Sequence, residues 1–265
     1  MSERIDVAEV LSASARRAAS APVMTLAAIG ALLGVTLTIV LHVGGLAPEH
    51  GAAAGGSNLF ITLVVLVATM VPTAWTEGAI SKFVSEQEAG HLVPLGSAAR
   101  HGLARMPTVY LAQVLMLGVV TLASMLCFVP GVIVYAYLAV VPAVAALEDV
   151  GGRDALARSR ALSEGRTWRV FGVVGLAALV GFVALAPMWC VLVAVPIETA
   201  PSAGRAMLAA MRRANDLNDP LAIALVAGVR SMVSAWWNSV ITVLYVRLRR
   251  RERGADAEQI AEVFA

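Results

Sequence analysis

Residues 107–129 read PTVYLAQVLMLGVVTLASMLCFV, and residues 132–147 read VIVYAYLAVVPAVAAL. Neither stretch contains a charged side chain, and only Pro130 and Gly131 separate them. About 20 apolar residues in a helix cross the roughly 30 Å hydrocarbon core of a bilayer, and a Pro-Gly pair breaks a helix and turns the chain. These residues therefore predict a membrane hairpin that turns at Pro130-Gly131. The alternative is one long helix with a kink.

The composition of the whole chain also favours a membrane location. Of its 265 residues, 59% are hydrophobic and 14% are charged, whereas soluble domains are about 45–50% apolar and about 25% charged. Disorder is excluded, because a disordered chain needs low hydrophobicity and high charge. The two cysteines, Cys127 and Cys190, lie in apolar runs, which argues against a disulfide-stapled secreted domain. The chain is predicted to be an integral membrane protein.

Six stretches are apolar and long enough, or nearly so, to cross a membrane as helices. We therefore predict an all-α, polytopic integral membrane protein with six transmembrane helices in three hairpins. The predicted spans are residues 22–46, 58–80, 107–129, 132–147, 170–197 and 220–246. The predicted parts of the chain are an N-terminal interfacial helix at 1–21, the membrane domain at 22–247 and a basic, then acidic, cytoplasmic tail at 248–265.

The distribution of lysine and arginine predicts the orientation, because both are enriched in cytoplasmic loops. With the N-terminus inside, 16 of the 20 lysine and arginine residues fall in cytoplasmic segments and three in the outer loop at 198–219. Both termini are therefore predicted to be cytoplasmic. If the 198–219 loop were cytoplasmic instead, the fifth segment would be re-entrant or the number of spans odd. A cleaved signal peptide is disfavoured, because Asp6 and Glu9 precede an apolar run longer than the about 7–15 residues of a signal core.

Short amphipathic stretches precede three of the predicted spans, at residues 5–17, 95–106 and 153–162. They are rich in alanine, serine and arginine, and a basic face opposite an apolar face is typical of a helix in the membrane interface. Each hairpin is therefore predicted to follow a cytoplasmic interfacial helix, with an aromatic anchor at headgroup level. The predicted interfacial and lipid contacts are Arg100, Arg105, Arg158, Arg160, Trp168, Arg249, Arg250 and Arg251. For the arginines of the tail, the alternative is a stop-transfer signal that only sets topology.

Several of these segments together resemble a known family. They are residues 5–28, 95–107, Pro130-Gly131 with Pro142-Ala143, 147–168 and 244–249. Over nearly its whole length the chain resembles the membrane domain fused to some bacterial glycerophosphoryl diester phosphodiesterases, and the stand-alone relatives of that domain. The resemblance implies a six-helix protein of the bacterial inner membrane. It does not imply phosphodiester hydrolysis, because in the fused proteins that chemistry belongs to a separate soluble barrel of about 250 residues.

The best motif of the resemblance lies within residues 147–168. Leu147, Glu148 and Ser159 match it. The family offers no established catalytic role for these positions, so none is carried over to this chain.

Four polar side chains within the predicted spans form a candidate intramembrane site: Arg230, Glu77, Gln113 and Asn238. Arg230 lies about ten residues, or roughly 15 Å, into the last span, where a charge costs about 2.5–3.5 kcal/mol. The alternative is that this helix begins just after Arg230, whose side chain then extends to the outer interface. Glu77 lies too far along its helix to pair with Arg230 and is expected to meet Lys82 or headgroup-level water. Gln113 and Asn238 are expected to hydrogen-bond across helix pairs.

The sequence contains no Gly-rich phosphate loop, no Gly-x-Ser-x-Gly elbow and no His-Glu-x-x-His pair, which are common enzymatic motifs. We therefore expect no catalytic residue, no cofactor and no metal, and the membrane-proximal arginines do not require nucleic acid as a partner. The favoured hypothesis is a non-enzymatic scaffold or accessory subunit that organises lipid, including anionic lipid, or a partner such as another membrane protein or a second copy of the chain. The alternative is a small transporter or channel component with a site near Arg230. An intramembrane enzyme is the least favoured hypothesis.

Overall fold

The computed structural model describes residues 6–43, 56–197 and 220–263, and within them the side chains of 6–37, 39–40, 67–68, 70–127, 129–185 and 227–254. This part of the chain is helical and contains no strand, so the predicted all-α class is confirmed. The helices are α1 (Val7–Ala18), α2 (Ala21–Val43), α3 (Gly56–Glu88), α4 (Leu95–Leu126), α5 (Phe128–Leu138), α6 (Val141–Leu147), α7 (Gly152–Ser163), α8 (Thr167–Ile197) and α9 (Pro220–Val263).

Three of these stretches are long and apolar enough to cross a membrane. They are Leu95–Leu126, Val129–Leu147 and Thr167–Leu185. The bent pair formed by α1 and the first part of α2 makes a fourth if its two pieces are one span. Some side chains of the predicted spans 22–46, 58–80, 170–197 and 220–246 lie outside those described. Residues 44–46 and the predicted outer loop at 198–219 lie wholly outside the described residues.

Large apolar side chains are exposed along three helices of the bundle. Leu32 on α2, Leu122 on α4 and Phe182 on α8 are each about two-thirds exposed. A water-soluble monomer rarely exposes apolar surface that extends along several helices. Such a surface is expected to contact lipid chains, so it is compatible with a membrane location.

Helices α1 and α2 are separate and meet at a sharp elbow, with 72° between their axes. Asp6 caps α1, because its Oδ1 accepts a hydrogen bond from the Ala8 amide at 2.9 Å. Val10 and Ala13 on the apolar face of α1 are buried in the core. The predicted amphipathic stretch at 5–17 therefore forms a helix of its own in its described part, and the stretch at 153–162 does so as α7.

The amphipathic stretch at 95–106 differs from the prediction, because it is not a separate helix. Helix α4 runs without interruption from Leu95 to Leu126, with Pro107 inside it. A proline removes one helical hydrogen bond, but packing against neighbouring helices tolerates it in membrane proteins. Here the start of α4 is held against α3, where the Trp75 indole donates to the Ala99 carbonyl at 3.2 Å. Tertiary packing therefore overrides the break predicted at the proline.

The turn of the central hairpin also lies elsewhere than predicted. The chain breaks at Cys127, whose backbone is extended, and Pro130 and Gly131 lie in the first turn of α5. Proline is well tolerated there, because the amide that it lacks would have no partner within the helix. Gly131 serves close packing, since a Cβ at this position would lie 3.0 Å from Ser124 Cα on α4.

Helices α5 and α6 form the most enclosed apolar segment. In the most apolar 18 residues of Val129–Leu147, 56% are buried, against 11% in those of α4. The predicted span 132–147 is interrupted at Ala139 and Val140, and Pro142 lies in the first turn of α6. The buried face of α6 is rich in alanine, and small side chains of this kind allow neighbouring helices to approach closely.

Candidate functional site

Ion pairs connect the charged segments of the chain at one end of the bundle, which we call the charged end. Four pairs, which we call the ion-pair circuit, each join segments distant in sequence: α1 to the end of α3, α4 to the α6–α7 turn, α7 to α9, and α9 to α1. They are Arg17–Glu88 at 3.3 Å, Arg105–Asp149 at 2.9 Å, Arg158–Glu252 at 2.6 Å and Arg247–Glu9 at 2.8 Å. The structure thus brings together segments that the sequence only predicted to share one side of the membrane.

The densest part of the charged end is centred on Arg158. Its two terminal nitrogens each donate to a carboxylate oxygen of Glu252 at 2.6 Å, and its Nε donates to Glu148 Oε2 at 3.0 Å. The other oxygen of Glu148 accepts from the Tyr245 hydroxyl at 2.9 Å. Arg249 donates to the same hydroxyl at 3.0 Å. Helices α7 and α9 and the end of α6 are therefore joined by a continuous network.

This network favours the charged forms of Glu252 and Arg158. The hydrogen bond from Arg158 lowers the pKa of Glu252 below its usual range. The hydrogen bond to Glu252, assisted by that to Glu148, raises the pKa of Arg158 despite its partial burial. A fork-shaped guanidinium facing a carboxylate with two parallel bonds is among the stronger ion pairs in proteins. Arg158, predicted as a lipid contact, is instead engaged by two carboxylates of its own chain.

The residues that match the motif of the family resemblance contribute to the same region. Glu148 is only 10% exposed and accepts from two helices. The Ser159 hydroxyl donates to the Tyr137 carbonyl at 3.0 Å and so joins α7 to α5. Leu147 lines a cleft beside Tyr245. In this structure Glu148 and Ser159 join helices, and Leu147 packs against the core.

The cleft beside this network lies between the C-terminal part of α3 and the turns of α9 from Tyr245 to Arg253. Its volume is about 390 Å³, and four of its lining side chains are permanent cations: Lys82, Arg249, Arg250 and Arg253. Glu86 is the acidic residue that lines it, and His91 lies next to Glu86. The cleft therefore carries an excess of positive charge.

Glu86 is already engaged within the chain. Lys82 Nζ donates to Glu86 Oε1 at 2.6 Å, and His91 Nδ1 lies 3.0 Å from Glu86 Oε2. The hydrogen bonds from Lys82 and then His91 lower the pKa of Glu86. Lys82 was expected to meet Glu77 instead. It pairs with Glu86 because residues four apart are neighbours on one helix face.

Two members of the candidate intramembrane site meet across helices. Gln113 Nε2 on α4 donates a hydrogen bond to Glu77 Oε2 on α3. Gln113 was expected to form such a bond across a helix pair. Gln113 Oε1 is buried and has no hydrogen-bond partner among the described atoms. No salt bridge reaches Glu77 in the described part of the chain. The pair is therefore a carboxyl and an amide inside a predicted span.

The other two members do not join that pair. Asn238 Nδ2 donates to Ser234 Oγ, at 3.1 Å, within its own helix. The hydrogen bond between α9 and α3 is made one turn later, where Thr242 Oγ1 lies 3.1 Å from Ser81 Oγ. Arg230 is exposed and is not brought to Glu77. The described residues thus do not assemble a site around Arg230.

The remaining predicted lipid contacts divide by exposure. Trp168 is 82% exposed and meets Phe171 edge to face, with their ring centroids 6.1 Å apart. Arg100, Arg160 and Arg250 are exposed. Arg105, Arg249 and Arg251 are partly buried, and Arg105 pairs with Asp149. The exposed group can reach headgroups directly.

Comparison with known proteins does not assign a family or a function to this chain. No protein-family model, curated protein or solved structure matches this chain. Among the residues that the structure describes, no group of three His, Cys, Asp or Glu side chains is placed to hold a metal ion. The function is therefore argued from the geometry of the charged end.

Proposed function

We propose that this chain is a non-enzymatic, multi-pass protein of the bacterial inner membrane that acts as a scaffold or accessory subunit. Its charged end organises anionic lipid or a partner protein at the cytoplasmic surface. One observation carries the proposal: the ion-pair circuit holds charged segments from distant parts of the chain in one platform, next to a cleft with excess positive charge. We also propose that the chain is a relative of the membrane domain of the phosphodiesterase family, which it resembles.

The ion-pair circuit supports the six-span topology. Two segments that pair must lie on the same side of the membrane, so the chain between them crosses it an even number of times or not at all. The pairs Arg17–Glu88, Arg105–Asp149 and Arg247–Glu9 each bracket a predicted hairpin or the whole set of hairpins. Because arginine and lysine favour the cytoplasmic side, we assign the charged end and both termini to that side.

The exposed basic and aromatic side chains support a role at the lipid surface. Each lysine or arginine near an anionic leaflet contributes about 1 kcal/mol to the attraction, and an exposed tryptophan is typical of the headgroup level. Arg100, Arg160 and Trp168 have the exposure that such contacts need.

The topology can be tested by cysteine accessibility in intact cells. Cys127 and Cys190 are first replaced by serine, and then Gly254→Cys or Ser202→Cys is introduced singly. With six spans, a membrane-impermeant maleimide labels the Ser202→Cys variant from outside and the Gly254→Cys variant only after the cells are opened. Labelling of both from the same side would contradict the three-hairpin topology.

The role itself can be tested by extracting the protein from bacterial membranes with a styrene–maleic acid copolymer and comparing the co-extracted lipids with the bulk membrane. We expect enrichment of anionic phospholipid, or a second protein at fixed stoichiometry, equally for the wild type and the Arg230→Leu variant. Bulk lipid composition with no stoichiometric partner would contradict the scaffold. A solute flux in proteoliposomes that Arg230→Leu abolishes would favour the transporter alternative.

A further inference from the structure

The basic cleft between α3 and α9 has more positive charge than its own carboxylate can neutralise. Lys82, Arg249, Arg250 and Arg253 line it together with Glu86, which already pairs with Lys82 and His91. Arg253 is exposed, and it forms no ion pair with the side chains that the structure describes. Gathering like charges is unfavourable unless a counter-charge is supplied. The excess therefore indicates an external anion.

Two of the arginines are oriented by contacts that leave donors unused. Arg250 Nη2 donates to the Glu88 carbonyl at 2.6 Å, which accounts for one of its five N–H groups. Arg249 lies over the Tyr245 ring, 5.9 Å from the centroid, donates to its hydroxyl through Nη1, and has its Nε 3.8 Å from Glu148 Oε1. A guanidinium has five donors in a fixed planar arrangement that matches the oxygens of a phosphate. Both side chains are therefore held in place with donors available.

Two apolar residues that line the cleft, Leu147 and Val246, lie at the ends of predicted membrane segments. Leu147 ends α6, and Val246 ends the predicted last span. The cations thus begin where the apolar segments stop, which is the level of lipid headgroups. A water molecule occupies about 30 Å³ in the liquid, so a cleft of about 390 Å³ has room for a phosphate group with its substituents.

We propose that this cleft binds a phosphate group through Lys82, Arg249, Arg250 and Arg253. The inference deepens the proposed function and rests on it where the phosphate is carried by an anionic phospholipid. The same chemistry would also bind free phosphate from the cytoplasm. Basic pockets on the cytoplasmic side of membrane helices are suited to phosphate headgroups for this electrostatic reason.

The test is native mass spectrometry of the full chain released from nanodiscs that contain equal parts of phosphatidylglycerol and phosphatidylcholine. The cleft variant is Lys82→Gln/Arg250→Gln/Arg253→Gln. The matched control is Arg16→Gln/Arg153→Gln/Arg169→Gln, which removes the same charge from three exposed arginines outside the cleft. Each basic residue near an anionic surface strengthens binding roughly fivefold.

We expect the wild type and the control to retain phosphatidylglycerol at a fixed stoichiometry, and the cleft variant to lose roughly tenfold or more of it. Should the triple substitution impair folding, Arg253→Gln alone serves instead, because Arg253 forms no ion pair among the described residues. A reduction of several-fold by Arg253→Gln, against none by Arg153→Gln, supports the cleft.

Adding inorganic phosphate separates the two sources. If millimolar phosphate does not change the amount of lipid retained, the cleft binds the lipid headgroup. If phosphate adducts form in nanodiscs of phosphatidylcholine alone, the cleft binds the free anion. Equal losses in the cleft and control variants would overturn the cleft while leaving the scaffold proposal intact. Absence of any bound anion in the wild type would overturn the cleft. The scaffold proposal would be overturned only if the extracted membranes showed bulk lipid composition and no stoichiometric partner.

Discussion

At the charged end, neighbouring segments are joined by ion pairs such as Arg158–Glu252 at 2.6 Å. In the apolar body of the bundle, helices are joined by close approach of small residues, as where a Cβ on Gly102 of α4 would lie 2.7 Å from Ala79 N and from Trp75 O on α3. The charged contacts specify which segments meet, because only opposite charges are tolerated there. The apolar contacts specify how closely helices meet. The two regions should therefore respond differently to substitution.

The largest effect is expected for Gly102→Ala. The added methyl group would overlap backbone atoms of α3, which cannot rotate away, so we expect a loss of about 2–3 kcal/mol in unfolding free energy. Gly118→Ala on the same helix is the control, because nothing lies within 4 Å of its Cβ position. Unfolding in mixed micelles, followed by circular dichroism, measures both. Equal stability of the two variants would mean that α3 and α4 are not in such close contact.

A similar but smaller effect is expected for Arg158→Met at the charged end. It removes the nearer of the two guanidinium partners of Glu148, which is 10% exposed, and leaves Arg249 Nε at 3.8 Å; a buried group deprived of a partner costs about 1–3 kcal/mol. The double variant Arg158→Met/Glu148→Gln should recover part of the loss, because it removes the carboxylate charge that the more distant Arg249 alone would have to balance. Unfolding in mixed micelles measures the stability of both variants. No recovery would show that Arg158 acts through packing rather than through its charge.

In the apolar body, Gln113→Leu tests the pair with Glu77. It removes the amide donor and should cost about 1–2 kcal/mol. Gln113→Leu/Glu77→Leu should be more stable than Gln113→Leu, since no polar group then remains unsatisfied. A double-mutant cycle gives the coupling energy between the two side chains. A coupling energy near zero would mean that the pair does not form in the folded protein.

The smallest effect concerns pH and Glu252. Its pKa is lowered from the ordinary 4.5 by the hydrogen bond from Arg158, so it contributes stability above that ordinary value, and the contribution is lost as the pH falls through the lowered pKa. Because the pair is about one-third exposed, Glu252→Gln should cost under about 1 kcal/mol at pH 7. Thermal unfolding at pH 7 and pH 3 should show a smaller difference at pH 3. A difference that grows on acidification would contradict this pair.

Much of the local structure could be predicted from sequence. The amphipathic stretch ending near Ala18 and the one within α7 form helices, because apolar residues at helical spacing and a capping side chain such as Asp6 act locally. The pair Lys82–Glu86 was also within reach, since residues four apart on a helix are neighbours. The turn at Cys127 was not, because Pro130 is as compatible with the first turn of a helix as with a break.

The sequence by itself determined the helical class, the apolar composition and the grouping of basic residues, because these depend on side-chain chemistry and on short-range spacing. Only the tertiary structure decided which charges pair. Arg158 meets Glu252 across 94 residues and Arg247 meets Glu9 across 238, and such contacts depend on the rotation and crossing of helices. For the same reason, only the packed bundle could place Gln113 on Glu77 and leave Arg230 exposed.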